Sequence, residues 1–196
     1  MKDAFNAAAC STAEAEDFLA CHSYSFQRQG DGRLLVQGNI DIANRQLAEL
    51  PDLSCVIVTG NFYCQDNQLT SLKGAPSEVR GGFWCNGNRL ESLEYSPNGI
   101  TGQYICSNNR LSTLAHAPEN ITGDFACAGN PLTSLEGAPK QFNKLMSDFG
   151  TFKSWEEVPE KFRYSEETLA EAARKSVVLQ ENMSILKPIT FKKATP

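Results

Sequence analysis

The sequence predicts an α+β repeat protein: a solenoid of about six coils of 20–22 residues, whose short strands form a parallel sheet. A helix and hairpin are expected to close one end and a helix the other. Three observations predict it. Four consecutive segments align without a gap at a period of 21 residues. Within each, apolar residues stand two apart and then three apart, as a short strand and an irregular return require. Each also carries one Pro in that return, where it stiffens a back with no room for a long helix. One such coil cannot bury its own apolar face; a stack of them makes a continuous core.

The four segments are GNFYCQDNQLTSLKGAPSEVR (60–80), GGFWCNGNRLESLEYSPNGIT (81–101), GQYICSNNRLSTLAHAPENIT (102–122) and GDFACAGNPLTSLEGAPKQFN (123–143). Their shared frame is G-x-F/Y-x-C-x-x-N-x-L-x-S/T-L-x-x-A/S-P-x-x-V/I/F. Upstream, residues 38–59 keep Gly38, Ile40, Ile42, Leu47 and Leu50 in a unit one residue longer. Downstream, residues 144–163 put Phe152, Trp155 and Pro159 in the places of Leu, Leu and Pro. Degenerate end units are expected where a coil has a neighbour on one side only.

Phe62 and Cys64 are two apart on a strand and so point to one face, inward. Leu69 and Leu72 fill the interior from the return side. Asn67, Asn88, Asn109 and Asn130 should form an internal ladder whose amides satisfy backbone groups where the chain leaves the strand. Cys64, Cys85, Cys106 and Cys127 recur 21 residues apart, a repeat position and not a disulfide framework. They read as small core residues.

The flanks read differently. Ser11-x-x-Glu14 ahead of AEDFLAC suggests a capping box opening a helix near 12–21. SYSFQ and RLLVQ around Gln29-Gly30-Asp31-Gly32 suggest a hairpin. Ser165-Glu166-Glu167 starts a helix expected to run to about 182, with Leu169, Ala172, Ala173, Val177 and Met183 on one apolar face. The domain plan is therefore an N-terminal cap over 1–37, the solenoid over 38–163, and a C-terminal capping helix with a basic tail over 164–196.

The F/Y-x-C-x-x-N-x-L core resembles the leucine-rich repeat, L-x-x-L-x-L-x-x-N/C-x-L, in its short bacterial and phage form with a Pro-containing back. The resemblance covers residues 38–163. One departure is that the apolar residue before the strand (Val58, Val79, Ile100, Ile121) lies four residues before the aromatic, not three, with a Gly at 60, 81, 102 and 123 between. What the resemblance implies is a protein-interaction module, encoded by a phage or bacterium, that inhibits a host or defence enzyme handling nucleic acid.

Composition narrows the function classes. The 196 residues carry a net charge of −5. Residues 1–137 hold 8 Lys and Arg against 15 Asp and Glu, a balance of −7, and residues 138–196 hold 10 against 8, a balance of +2. An acidic body repels a phosphate backbone, so direct nucleic-acid binding is disfavoured and a basic partner protein is compatible. No apolar run reaches the ~18 to 20 residues that cross a bilayer, and Asp3, Glu14, Glu16 and Asp17 interrupt any signal-peptide core. A cytoplasmic location is expected. No CxxC pair, GK-S/T loop, GxSxG or HExxH occurs, so no catalytic residue, metal or cofactor is expected.

Binding residues follow from strand alternation. The row between aromatic and Cys reads Asp41, Tyr63, Trp84, Ile105, Ala126 and should face outward, lining the concave face of the solenoid on which a partner protein is expected to dock. The row before it reads Asn39, Asn61, Gly82, Gln103, Asp124, and the row after the Cys reads Ala43, Gln65, Asn86, Ser107, Ala128. Outward aromatics on adjacent rungs are not demanded by the fold, and Trp and Tyr are enriched among interface hot spots. The expected partner-binding set is Tyr63, Trp84 and Ile105, with Asn61, Asn86, Gln103 and Asp124 as a polar rim and Tyr95 on a return loop. The competing expectation is a structural component of a virion or surface assembly.

Overall fold

The computed structural model describes residues 12–171 together with 174 and 175. Helix α1 (Thr12–Cys21) is followed by an antiparallel hairpin of β1 (Phe26–Arg28) and β2 (Leu34–Val36). The chain then winds through β3 (Ile40–Asp41), β4 (Val56–Val58), β5 (Phe62–Tyr63), β6 (Glu78–Val79), β7 (Phe83–Trp84), β8 (Tyr104–Ile105) and β9 (Phe125–Ala126). It ends in β10 (Leu145–Ser147), β11 (Gly150–Phe152), a 3-10 turn at Trp155–Glu157 and the short helix α2 (Glu160–Arg163). A further helix begins at 166. Among the described residues no helix is long and apolar enough to cross a membrane.

The strands fall into two sheets, and each early coil contributes a strand to both. One sheet has the order β11-β10-β9-β8-β7-β5-β3, and the other β1-β2-β4-β6. In the seven-stranded sheet β3 to β10 pair in parallel, each rung a single step along the frame: Ile40↔Phe62↔Phe83↔Tyr104↔Phe125↔Leu145. Five full coils connect these six parallel strands. The expected sixth coil does not form. After β10 the chain doubles back, and β11 pairs with it antiparallel, Phe152 opposite Leu145. Phe152 therefore fills the core from a hairpin strand and not from a return loop. The turn at Asp148–Phe149 leaves too little chain for a return. The second sheet is itself an addition to the expected plan, which held one sheet and an irregular back.

The two sheets meet at the glycine column. Gly60, Gly81 and Gly102 each donate to the glycine one rung below, at 2.9–3.0 Å. A Cβ built on Gly81 would stand 2.5 Å from the Gly60 carbonyl oxygen, and one on Gly123 2.5 Å from that of Gly102. The extra residue before the aromatic is thus a corner, and only a residue without Cβ lets the rungs close there.

The core is the column set the frame predicts. Phe62, Phe83, Tyr104 and Phe125 are fully buried, with successive rings 5.6, 5.4 and 5.7 Å apart. Cys64, Cys85, Cys106 and Cys127 are unpaired thiols sealed beside them. Burial pushes all four thiols up, Cys85 and Cys127 to about 12. The asparagine ladder forms: Asn88 Nδ2 donates to the Cys64 and Cys85 carbonyls at 3.0 and 3.1 Å, and its Oδ1 accepts from Leu69 N–H at 3.0 Å. Asn109 and Asn130 repeat this one and two rungs on. The frame's Ser or Thr has a role too. Ser71, Ser92, Thr113 and Ser134 each accept from the N–H two residues on, closing the turn after the second Leu position.

Two departures from the frame explain each other. Tyr104 is the one hydroxyl in the aromatic column, and Ser96 is the one Ser where the other coils have Ala75, Ala117 and Ala138. Their hydroxyls stand 2.8 Å apart, and Ser96 Oγ also donates to the Leu93 carbonyl at 2.6 Å. A buried phenol without a partner costs about 1–3 kcal/mol, so the Ser removes the penalty the Tyr introduces.

At the first rung, Tyr24 closes the sheet edge. Its hydroxyl accepts from Asp41 N–H at 2.9 Å and donates to Asp41 C=O at 3.0 Å, covering groups that would otherwise template another strand. At the far end, Ser165 Oγ accepts from Thr168 N–H, and Glu136 accepts from both residues, fixing the helix that begins at 166 to the last return loop. Leu169, expected on a buried face, is exposed. Ser11, Ala172, Ala173, Val177, Met183 and the basic tail lie outside the described residues.

Candidate functional site

Strand alternation puts the row after the aromatic on the outer face of the seven-stranded sheet. The register places Asp41, Tyr63, Trp84, Ile105 and Ala126 side by side on consecutive rungs. Tyr63, Trp84 and Ile105 are partly exposed. Tyr63 and Trp84 stack at 4.7 Å between centroids. Neither ring stands straight out. The Trp84 indole leans back along its own strand over Gly82, where a Cβ would lie 2.4 Å from its six-membered ring. Gly82 is therefore the seat of Trp84, a role the frame does not reveal because the other coils carry Asn61, Gln103 and Asp124 there.

The polar rim is uneven. Asn61 works within the sheet: its Nδ2 donates to the Tyr63 hydroxyl and its Oδ1 accepts from Gly82 N–H, both at 2.8 Å. It orients the aromatic pair more than it offers groups to a partner. Asp124 accepts from Asn143 Nδ2 at 2.6 Å. Gln103 is exposed, and Asn86 partly so. One acceptor on this face, Gln65 Oε1, is shielded from solvent with no hydrogen-bond donor.

Tyr95 lies elsewhere. It belongs to the return loops, apart from the Tyr63–Trp84 pair, and is 54% exposed. The same loop position reads Gly74, Tyr95, His116 and Gly137, and all four have positive φ: 90°, 68°, 68° and 87°. Left-handed backbone costs an L residue roughly 1–2 kcal/mol. A Cβ on Gly74 would lie 2.8 Å from Pro51 O, and one on Gly137 2.7 Å from Leu114 O. Tyr95 and His116 occupy this position with side chains. The sequence signal for this was the Gly/Tyr/His/Gly alternation, which reads as free variation until the backbone angle is known.

Chemically, the outer sheet face offers ring edges, amides and carboxylates. Among the described residues no group of three His, Cys, Asp or Glu side chains converges to hold a metal ion. The four repeat thiols face the interior and are held neutral. No family model, curated protein or solved structure matches this chain.

Proposed function

We propose that this chain is a non-enzymatic protein-binding module of the leucine-rich-repeat kind, docking one partner protein on the outer face of the seven-stranded sheet. The observation that carries the reading is the stacked, half-exposed Tyr63–Trp84 pair on adjacent rungs. The fold demands nothing of these positions, since the same row tolerates Asp41 and Ala126. Tyr63, Trp84 and Ile105 form the anchor, where truncation typically costs ~2 kcal/mol or more. Asn86, Gln103 and Asp124 form its polar surround, and Asn61 holds the anchor's geometry. The finer version is an inhibitor, encoded by a bacterium or phage and acting in the cytoplasm, that occludes a host or defence enzyme handling nucleic acid. Family resemblance supports that version, together with the −7 balance of residues 1–137, which suits a target with a basic groove.

The test is affinity capture from the producing or infected cell with the wild-type chain and with Trp84→Ala, followed by titration of the captured protein. Trp84→Ala is expected to weaken binding about 30-fold, the equivalent of ~2 kcal/mol. Equal affinity of the two chains for the captured partner refutes docking on this face.

A further inference from the structure

A groove of about 450 Å³ opens on the return side of the first coils, away from the Tyr63–Trp84 face. Leu50, Gly74 and Tyr95 line it, together with Glu49, Asp52 and Lys73. Gly74 has no side chain, so the groove stays open where it packs against the preceding coil. Tyr95 stands one rung further on at φ +68°, lines the groove and is more than half exposed. Nothing in the coil's packing calls for this ring, because Gly74 and Gly137 fill the same place in two other coils. Non-glycine residues held in left-handed backbone cluster at ligand clamps, where the strain serves binding.

We infer that this groove is a second binding site and holds an arginine side chain presented by a partner protein. The chemistry selects a planar cation. A phenol face attracts a guanidinium, and carboxylates at Glu49 and Asp52 outnumber the single ammonium of Lys73. Leu50, buried and lining the groove, matches the methylene stem that an arginine buries while keeping its head polar. A phosphate or a carboxylate ligand would meet the wrong sign of charge, and an aliphatic one would leave both carboxylates unanswered. Asp52 already accepts from Ser54 N–H and Ser54 Oγ through Oδ1, which fixes the carboxylate in place.

The test is a titration of isotope-labelled protein with N-acetyl-arginine amide, following backbone amide resonances. Saturable shifts are expected at Gly74, Tyr95 and Asp52, with none from N-acetylglycine amide. Tyr95→Gly should weaken the response at least threefold, the scale of an exposed cation–π contact, with an unchanged or higher Tm. Glu49→Gln should weaken it as well. Trp84→Ala should leave it untouched, which separates this site from the outer sheet face. The inference is overturned by an absence of saturable shifts, or by a response that survives Tyr95→Gly. It is equally overturned by a lower Tm in Tyr95→Gly, which would make the ring a packing element. An equal response to N-acetyl-lysine amide would overturn the guanidinium assignment.

Discussion

The same coils build both sheets, yet the two sheets hold together unequally. In the seven-stranded sheet every rung from Ile40 to Leu145 pairs with the next. In the other sheet pairing is sparser and uneven. Three residue pairs join β2 to β4, and two join β4 to β6. A single bridge joins Glu78 to Asn98, and a single bridge joins Asn120 to Gln141. Between Asn98 and Asn120 no bridge forms, and a cleft of about 540 Å³ opens there, bordered by His116. The step without any bridge is the one whose left-handed loop position is His116. Pairing is double where Gly74 stands, single at Tyr95, absent at His116, and single again at Gly137.

The comparison teaches which interactions set the rung spacing. The front is fixed by three interior columns, namely the stacked rings, the thiols and the asparagine amides. All of them run inside the coil and tolerate any outward residue. The back has sparser backbone pairing, with side-chain bonds that change from coil to coil: Ser77 Oγ to Val56 O, Asn98 Nδ2 to Ser77 O, and Thr101 and Thr122 hydroxyls to the carbonyls one rung below. A Cβ on Gly74 or Gly137 would stand 2.7–2.8 Å from a carbonyl oxygen of the neighbouring coil, so a side chain at this position requires the backbones to shift.

This contrast can be broken or sharpened by substitution. The largest effect is expected at the front. Asn109→Ala leaves Leu90 N–H without its acceptor and takes one of two asparagine donors from each of the Cys85 and Cys106 carbonyls, which keep Asn88 and Asn130. It should cost about 2 kcal/mol in denaturant unfolding, at 1–3 kcal/mol for the one buried group left alone. Asn98→Ala, on the back, removes one long bond from an exposed amide and should stay within about 0.5 kcal/mol of wild type. Comparable losses at the two positions would erase the distinction between the sheets.

A middle-sized effect is expected where front and back meet. Ser96→Ala and Tyr104→Phe should each cost ~1 kcal/mol, while the double variant restores the ordinary frame and should cost less than the sum. A double-mutant cycle with no coupling would mean that the two departures coincide by chance. The smallest effect, and the one of opposite sign, is at the back. His116→Gly should stabilise by roughly 1 kcal/mol through relief of the left-handed backbone, and should slow hydrogen exchange at Glu119 and Asn120. Unchanged exchange would show that the His116 side chain is not what parts these coils.

Much of the front was legible in the sequence. A 21-residue period specifies which side chains share a column, and columns of Phe/Tyr, Cys, Asn and Leu leave one interior arrangement that buries them all. The outward row of Tyr63, Trp84 and Ile105 followed from the same count. The lean of Trp84 over Gly82 did not, because it depends on the absence of one side chain two residues away. The Ser96–Tyr104 pair was written in the chain as two exceptions eight residues apart, but only their contact gives the exceptions meaning.

By itself, the sequence determined that coils stack and which residues face inward, since both follow from periodicity and the burial of apolar surface. Only the tertiary structure decided the second sheet, the gap in it, the hairpin that replaces a sixth coil, and the groove beneath Tyr95. Those features depend on distances between backbones on neighbouring rungs, where a single Cβ or its absence shifts the balance. A repeat pattern fixes what recurs; such spacings are set by the positions where it does not.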